Sequence, residues 1–148
     1  CVQGGEKDRF TPEAYAKLIT PSDRKVLDHA NRFSNHNVLH CCGWAGIQNH
    51  LEVWKDYPAA AVNWACFVEG MSLSEGKDFF GGKCVLGGFD NRKDSLICTG
   101  TKADIQAFAR DLVQKTGSTG MMIGADCTLP STIQLERIQW VVDAVNDL

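Results

Sequence analysis

Four short apolar runs, each followed by a segment suited to a helix, constrain the fold of this chain more than any other feature. The runs cover residues 38–42, 59–67, 83–86 and 121–125. Each is predicted as a strand, and the longest, 59–67, is apolar except for Asn63, as is typical of a strand that is buried on both faces of a sheet. Because strands that alternate with helices form parallel sheets with right-handed crossovers, the pattern predicts the α/β class.

Helix signals fill the spaces between these runs. Threonine followed by proline marks a helix start, because threonine caps the helix and proline fits its first turn. This signal occurs before the first strand, at Thr11-Pro12 and again at Thr20-Pro21. Helical spacing or caps predict further helices over residues 47–57, 72–80 and 101–117, and from the capping box at 130–134 onward. Such βα units form either an open doubly wound sheet or half of an eight-stranded barrel, and residues 2–4 are the expected tail of an earlier strand.

Length and composition place the chain in an ordinary globular class. Its 148 residues fit one domain, 1–148, and hydrophobic residues make up 44% of them. The net charge of -3 and the scattered basic residues argue against a nucleic-acid binder. We find no apolar stretch of the roughly 20 residues that would span a bilayer and no signal peptide, so we expect a cytoplasmic protein.

Cysteine is frequent, with seven residues, but the pattern does not suit disulfides. The number is odd, Cys41 and Cys42 are adjacent, and no secretion signal precedes them, so free thiols are expected. The sequence has no Cys-x-x-Cys and no Gly-x-Gly-x-x-Gly, which argues against zinc ribbons and dinucleotide binding. The first residue is Cys1 rather than methionine, and we expect the chain to be a piece of a longer protein.

Potential metal ligands follow two of the predicted strands. His40 and Cys42 are two positions apart at the end of the first strand, so their side chains share one face and Cys41 points the other way. Cys127 follows the last strand. Because ligands of α/β folds bind at the carboxyl ends of the strands, these three side chains form a candidate zinc site with one position open for chemistry.

A structural role for the same residues is also consistent with the sequence. His40 would then be a hydrogen-bonded histidine, and Cys42 and Cys127 would be packed thiols. Asn63, a polar residue in a buried strand, needs a hydrogen-bond partner either in the fold or in the pocket, where it would contact a cofactor. Four tryptophans are expected in the core or at domain contacts, namely Trp44, Trp54, Trp64 and Trp140.

The motif order from Val2 to Val145 resembles the C-terminal half of the uroporphyrinogen decarboxylase superfamily, which has an eight-stranded α/β barrel. The matching stretches are Gln3-Gly4-Gly5-Glu6, residues 11–21, residues 38–43, Ala61-Val62-Asn63-Trp64, Gly87-Gly88-Phe89-Asp90-Asn91 and Gly124-Ala125-Asp126-Cys127. The most similar branch is the zinc-dependent methyltransferases that act on corrinoid proteins. The resemblance implies that His40, Cys42 and Cys127 bind zinc.

The resemblance also implies a reaction and its partners. A corrinoid protein would donate a methyl group to a small thiol substrate, and a nearby carboxylate would accept the thiol proton. Asp126, Glu69 and Asp90 are candidates for this catalytic role because they follow predicted strands.

Two other functions stay open at this point. One is a metal-free decarboxylase that binds a porphyrin-type substrate and removes carboxyl groups from tetrapyrrole acetate side chains. Its relatives have a glycine- and histidine-containing turn in place of Asp126-Cys127 and no His-x-Cys pair. The other is a non-catalytic fragment that needs its missing half. Since four strands cannot close a barrel, an exposed sheet edge predicts a homodimer or instability.

Overall fold

A computed structural model describes residues 1–43, 46–146 and 148. Its described strands form one parallel sheet in the order β1-β2-β3-β4. The strands are β1 (Val38–Cys41), β2 (Ala61–Trp64), β3 (Cys84–Phe89) and β4 (Met121–Ala125). The helices are α1 (Pro12–Leu18), α2 (Thr20–Ala30), α3 (Cys66–Glu69), α4 (Leu73–Phe79), α5 (Leu96–Thr99), α6 (Lys102–Thr116) and α7 (Leu135–Asn146). This alternation confirms the predicted α/β class and fits part of a TIM-type barrel.

The sheet continues beyond β1 through one residue of the N-terminal segment. Val2 forms an isolated parallel bridge with Cys41. The Val2 N–H donates to the His40 carbonyl at 2.9 Å, and the Cys42 N–H donates to the Val2 carbonyl at 3.1 Å. The N-terminal segment therefore takes the place of a preceding strand, as predicted.

The two faces of the sheet have different surroundings. The core face, defined by Leu39, Cys41, Val62, Trp64 and Val85, is buried against side chains of α1 and α4. Cys41 is fully buried there, so the prediction that it points away from His40 is confirmed.

The opposite face, here called the site face, carries His40 and its neighbours across the sheet. His40 pairs in register with Asn63, Asn63 with Leu86, and Leu86 with Met122. Val38, two residues before His40 on the same face, is 46% exposed, and Met122 is 40% exposed. The site face is therefore only partly covered, as the inner face of an unclosed barrel would be.

A second buried cluster lies at the β4 end of the molecule. Phe89 packs there with Ile97 of α5, Ile105 and Ala109 of α6, and Ala144 of α7. Among the described helices none is long and apolar enough to cross a membrane.

Several predicted boundaries differ from the structure. The helix predicted over 47–57 is only a 3₁₀ turn at Leu51–Trp54. The backbone before this turn pairs instead with the N-terminal segment, through the His50 N–H to the Gly5 carbonyl at 2.7 Å and the Lys7 N–H to the Gln48 carbonyl at 2.9 Å. Helical spacing alone does not reveal this competing partner.

The strand predicted over 59–67 is also shorter, because β2 ends at Trp64 and α3 follows at Cys66. β3 extends past its predicted end to Phe89, with Gly87 and Gly88 at positive φ. The last helix begins at Leu135 rather than at its predicted capping box, because a turn closed by the Ile133 N–H to the Pro130 carbonyl precedes it.

The tryptophans agree with the prediction where they can be compared. Trp54 and Trp64 are fully buried in the core, and Trp140 packs against the second cluster. Trp44 lies outside the described residues.

Candidate metal centre

His40 is the centre of the candidate site, and Asn63 on the adjacent strand fixes its orientation. The Asn63 side-chain nitrogen donates to the Leu86 carbonyl at 2.8 Å and to the Ala125 carbonyl at 3.2 Å. Its side-chain oxygen therefore faces His40 and accepts a short hydrogen bond from Nδ1–H. With the proton on Nδ1, Nε2 keeps its lone pair, which is the state that binds a metal ion.

Three thiols surround this imidazole. The ligand atoms of Cys1, His40 and Cys42 all lie within 4.8 Å of one another. Cys127 is outside this group, because its sulfur is more than 4.8 Å from at least one of these atoms, but it lies 3.5 Å from His40 Nε2. Cys42 is 5% exposed, whereas Cys1 is exposed and Cys127 is half-buried. The site therefore has a buried floor and an open side.

The donor types suit a zinc ion, and so does the spacing of one donor pair. Bonds of about 2.3 Å to sulfur and about 2.0 Å to nitrogen, at tetrahedral angles, separate the two donors by about 3.5 Å. The separation between Cys127 Sγ and His40 Nε2 has this value. Two sulfurs on one such ion would be about 3.8 Å apart, a separation that lies within the 4.8 Å limit met by Cys1 and Cys42.

Asp126, predicted as a catalytic carboxylate, is 1% exposed and holds backbone groups from two neighbouring elements. Its two oxygens accept from the Phe67 N–H at 3.1 Å and from the Gly88 N–H at 3.3 Å. Burial raises the pKa of Asp126 to about 6, although these hydrogen bonds act to lower it. The residue thus anchors the strand end from which Cys127 projects, and its catalytic role stays a prediction.

Glu69 lies at the end of α3 and binds Asn49. Its oxygens accept from the Asn49 backbone N–H at 3.0 and 3.2 Å and from the Asn49 side chain at 2.7 Å. Burial raises the pKa of Glu69, while the bonds from Asn49 oppose that shift. Because the Asn49 side chain also donates to the Cys42 carbonyl at 3.3 Å, Glu69 supports the backbone of the site.

Asp90 follows β3 and forms an ion pair with Arg92. Partial burial favours a higher pKa, but hydrogen bonds from Arg92 hold the pKa of Asp90 below its usual value. Within the described residues, the group of potential metal ligands consists of Cys1, His40 and Cys42 and contains no carboxylate. The catalytic roles of Glu69 and Asp90 therefore also stay predictions.

The structure brings His40 together with both predicted thiols and adds Cys1, which the sequence did not single out. Cys1 precedes the strand predicted at residues 2–4, so the rule that ligands lie at the carboxyl ends of strands did not point to it. What could not be read from the sequence was the register, which sets Val2 beside Cys41 and hence Cys1 beside His40.

A comparison with known proteins agrees with this arrangement of strands. The family model described as Uroporphyrinogen decarboxylase (URO-D) matches residues 4–148. A search of the curated proteins gives no match. Because the family match covers nearly the whole chain and the βα units fit a partial TIM-type barrel, the protein belongs to the uroporphyrinogen decarboxylase (URO-D) family.

Proposed function

We propose that this chain carries a zinc site at which a thiol substrate is activated to accept a methyl group from a corrinoid carrier protein. The observation that carries the proposal is the position of His40. Its Nε2 lies 3.5 Å from Cys127 Sγ, and His40 forms a separate group with Cys42 and Cys1, whose ligand atoms lie within 4.8 Å of one another. Membership of the family supports an enzyme of this superfamily. The corrinoid donor and the thiol acceptor are expectations from the resemblance to the methyltransferase branch.

The chain's own residues would hold and tune the ion. A free thiol near neutral pH is mostly protonated, and bound zinc keeps a thiol as the nucleophilic thiolate. Neutral His40 and the thiolates of Cys42 and Cys127 balance the charge of a divalent cation. Asn63 binds the Nδ1 side of His40, so Nε2 is the nitrogen that faces the thiols.

The proton of the substrate thiol needs an acceptor. Among the candidate carboxylates, Asp126 is adjacent to Cys127 in the chain, and we propose it for this role. The Asp126→Asn substitution is expected to slow proton release from the substrate thiol in protein that has been fully loaded with zinc. Proton release on thiol binding, followed with a pH indicator, measures this effect.

Metal analysis tests the zinc site directly. Protein purified without added zinc should contain close to one zinc ion per chain, measured by mass spectrometry of the metal. Cys127→Ser and His40→Ala should lose most of it. Cys84→Ser is a matched control, because Cys84 is on the site face but at the opposite end of the sheet, two residues before Leu86. Zinc near zero in the unmodified protein, or full zinc in Cys127→Ser, would contradict the proposal.

A metal-free decarboxylase of tetrapyrrole acetate groups is the second candidate, and the family description favours it. This alternative predicts porphyrin binding that a chelator does not change. Fluorescence titration with uroporphyrin, with and without a zinc chelator, separates the two functions. Tight and chelator-insensitive binding would favour decarboxylation, whereas zinc-dependent thiol binding would favour methyl transfer.

A further inference from the structure

We propose that Cys1 is an additional ligand of the metal site, contributed by the chain segment that pairs with the outer edge of β1. The proposal rests on the zinc site described above. It assigns a role to a residue that stands outside the His-x-Cys pair and the distant Cys127.

The backbone pairing determines where the Cys1 side chain points. Val2 is opposite Cys41 in the parallel bridge, so Cys1 is opposite His40. Residues side by side in a sheet point to the same face, and adjacent strands are about 4.8 Å apart. Cys1 and His40 therefore both project from the site face. The grouping of Cys1, His40 and Cys42 ligand atoms within 4.8 Å agrees with this register.

The Cys1 thiol forms only a weak hydrogen bond within the described residues. It contacts the Val2 carbonyl at 3.9 Å, a long and weak interaction for a thiol donor. It is also exposed, which is uncommon for a cysteine that serves only to pack. A role as a ligand explains its proximity to His40 and Cys42.

With Cys1 included, one imidazole and three thiols are available, the number that a tetrahedral zinc site needs. Cys127 lies outside the group of Cys1, His40 and Cys42, so its sulfur would move inward to complete the set. Cys1 would then occupy the fourth position, and an incoming thiol would replace it. The incoming thiol gives its proton to Asp126, and Cys1 leaves the ion as a thiolate, so that bonds and charge balance. Cys1 is suited to this exchange because it is exposed, whereas Cys42 is buried.

The number of sulfur donors tests the proposal. X-ray absorption of the zinc-loaded protein, reduced with a phosphine that supplies no sulfur, should give three sulfurs and one nitrogen per zinc. Cys1→Ser should give two sulfurs, and its cobalt-loaded form should lose about one third of the thiolate-to-metal absorption intensity. Cys1→Ser keeps the backbone amine at this position, so the change reports the thiol.

The number of sulfurs per zinc in the unmodified protein and in Cys1→Ser distinguishes a failure of this inference from a failure of the proposed function. Two sulfurs per zinc in both the unmodified protein and Cys1→Ser would overturn the role of Cys1 and leave the three-ligand site intact. No zinc in either protein would overturn the proposed function as well. Cys84→Ser should keep three sulfurs, and a loss there would contradict the assignment of Cys1.

Alkylation provides a readout of the exchange. In the zinc-loaded protein, Cys1 should react slowly with iodoacetamide, and an added small thiol should raise its rate at least tenfold. Peptide mass spectrometry identifies the modified residue. Equal rates with and without zinc would overturn the assignment, because an unligated Cys1 is already exposed.

Discussion

The side-chain amide of Asn63 links three strands and controls the chemistry of a histidine on one of them. It donates to carbonyls of β3 and β4 and accepts from His40 on β1. An aspartate could not replace its two donations, and a leucine would leave all of these groups without a partner. This residue therefore couples the stability of the sheet to the metal-binding state of His40.

Asn63→Leu is expected to weaken zinc binding by about 10-fold to 100-fold, since partners of metal-binding histidines have effects of that size. It should also lower the free energy of unfolding by about 1–3 kcal/mol, because the Leu86 and Ala125 carbonyls lose their donor. Zinc affinity is measured by chelator competition and stability by urea unfolding. Val62→Ala is the control, because Val62 is the neighbouring residue on the core face. Equal zinc affinity in the two variants would contradict the expectation.

Two glutamates should show opposite pH dependence of stability. Burial raises the pKa of Glu69, so its contribution to stability is complete below its ordinary pKa and is lost as the pH rises through the raised value. Hydrogen bonds from the Ser72 side chain and backbone lower the pKa of Glu75, so its contribution is present above the ordinary pKa and is lost as the pH falls through the lowered value.

We therefore expect Glu69→Gln to become more stable relative to the unmodified protein as the pH rises from 4 toward 7, and Glu75→Gln to become less stable. Urea unfolding across this range measures both differences. The two variants serve as controls for each other, since each removes one carboxylate. Differences of the same sign would show that burial does not dominate at Glu69.

At this scale the sequence predicted most of the residues that line the candidate site. Alternation along β1 placed His40 and Cys42 on one face, and the end of β4 supplied Cys127. The partner of Asn63 was left open, because choosing between the fold and a ligand requires the register of β1 against β2. The residue type at position 63 can be read from the sequence, but its partner depends on how the strands are aligned in the sheet.

At the scale of elements, the sequence predicted a strand or helix correctly where no distant segment took the backbone hydrogen bonds of that element. β4 has the predicted bounds of 121–125, and α6 has its predicted cap at Thr101. The segment 47–57 has good helical spacing but forms only a 3₁₀ turn, because residues 5–7 take its backbone hydrogen bonds. The error came from a non-local pairing that periodicity does not record.

Packing between elements overrides helix propensity at Gly76. This glycine is inside α4, where alanine would be favoured by about 1 kcal/mol. A Cβ at this position would lie 2.1 Å from Cζ2 of Trp64, whose ring is fully buried and donates to the Met71 carbonyl at 3.0 Å. The indole therefore has little freedom to move away.

Gly76→Ala is expected to lower the free energy of unfolding by about 1–3 kcal/mol, because overpacking outweighs the gain in propensity. Ser74→Ala, an exposed position in the same helix, should change stability by no more than about 0.5 kcal/mol. Urea unfolding of both variants provides the comparison. An equal or greater stability of Gly76→Ala would contradict the rigid packing of Trp64.

For the whole molecule, the notable property is a sheet with one covered and one partly open face. In a closed barrel, side chains from all strands fill the interior. Here the exposed Val38 and Met122 lie on the site face, and among the described strands β4 pairs only with β3. Apolar side chains and an unpaired edge favour association with another chain.

We expect concentration-dependent association in solution, which sedimentation velocity can measure. Met122→Lys should weaken it by at least tenfold, because a charge would then have to be buried at the contact. Val26→Lys is the control, since Val26 is 69% exposed but lies on α2, away from the site face. A monomer at all concentrations, with cooperative unfolding, would contradict the expectation.

The proximity of His40 to Cys127 has one more consequence for the molecule as a whole. The two residues are 87 positions apart along the chain, and β2, β3 and β4 all lie between them. An ion held by both would act as a clip across this span, restricting the denatured chain much as a long-range crosslink does. Loss of the ion would then loosen three strands at once rather than one loop.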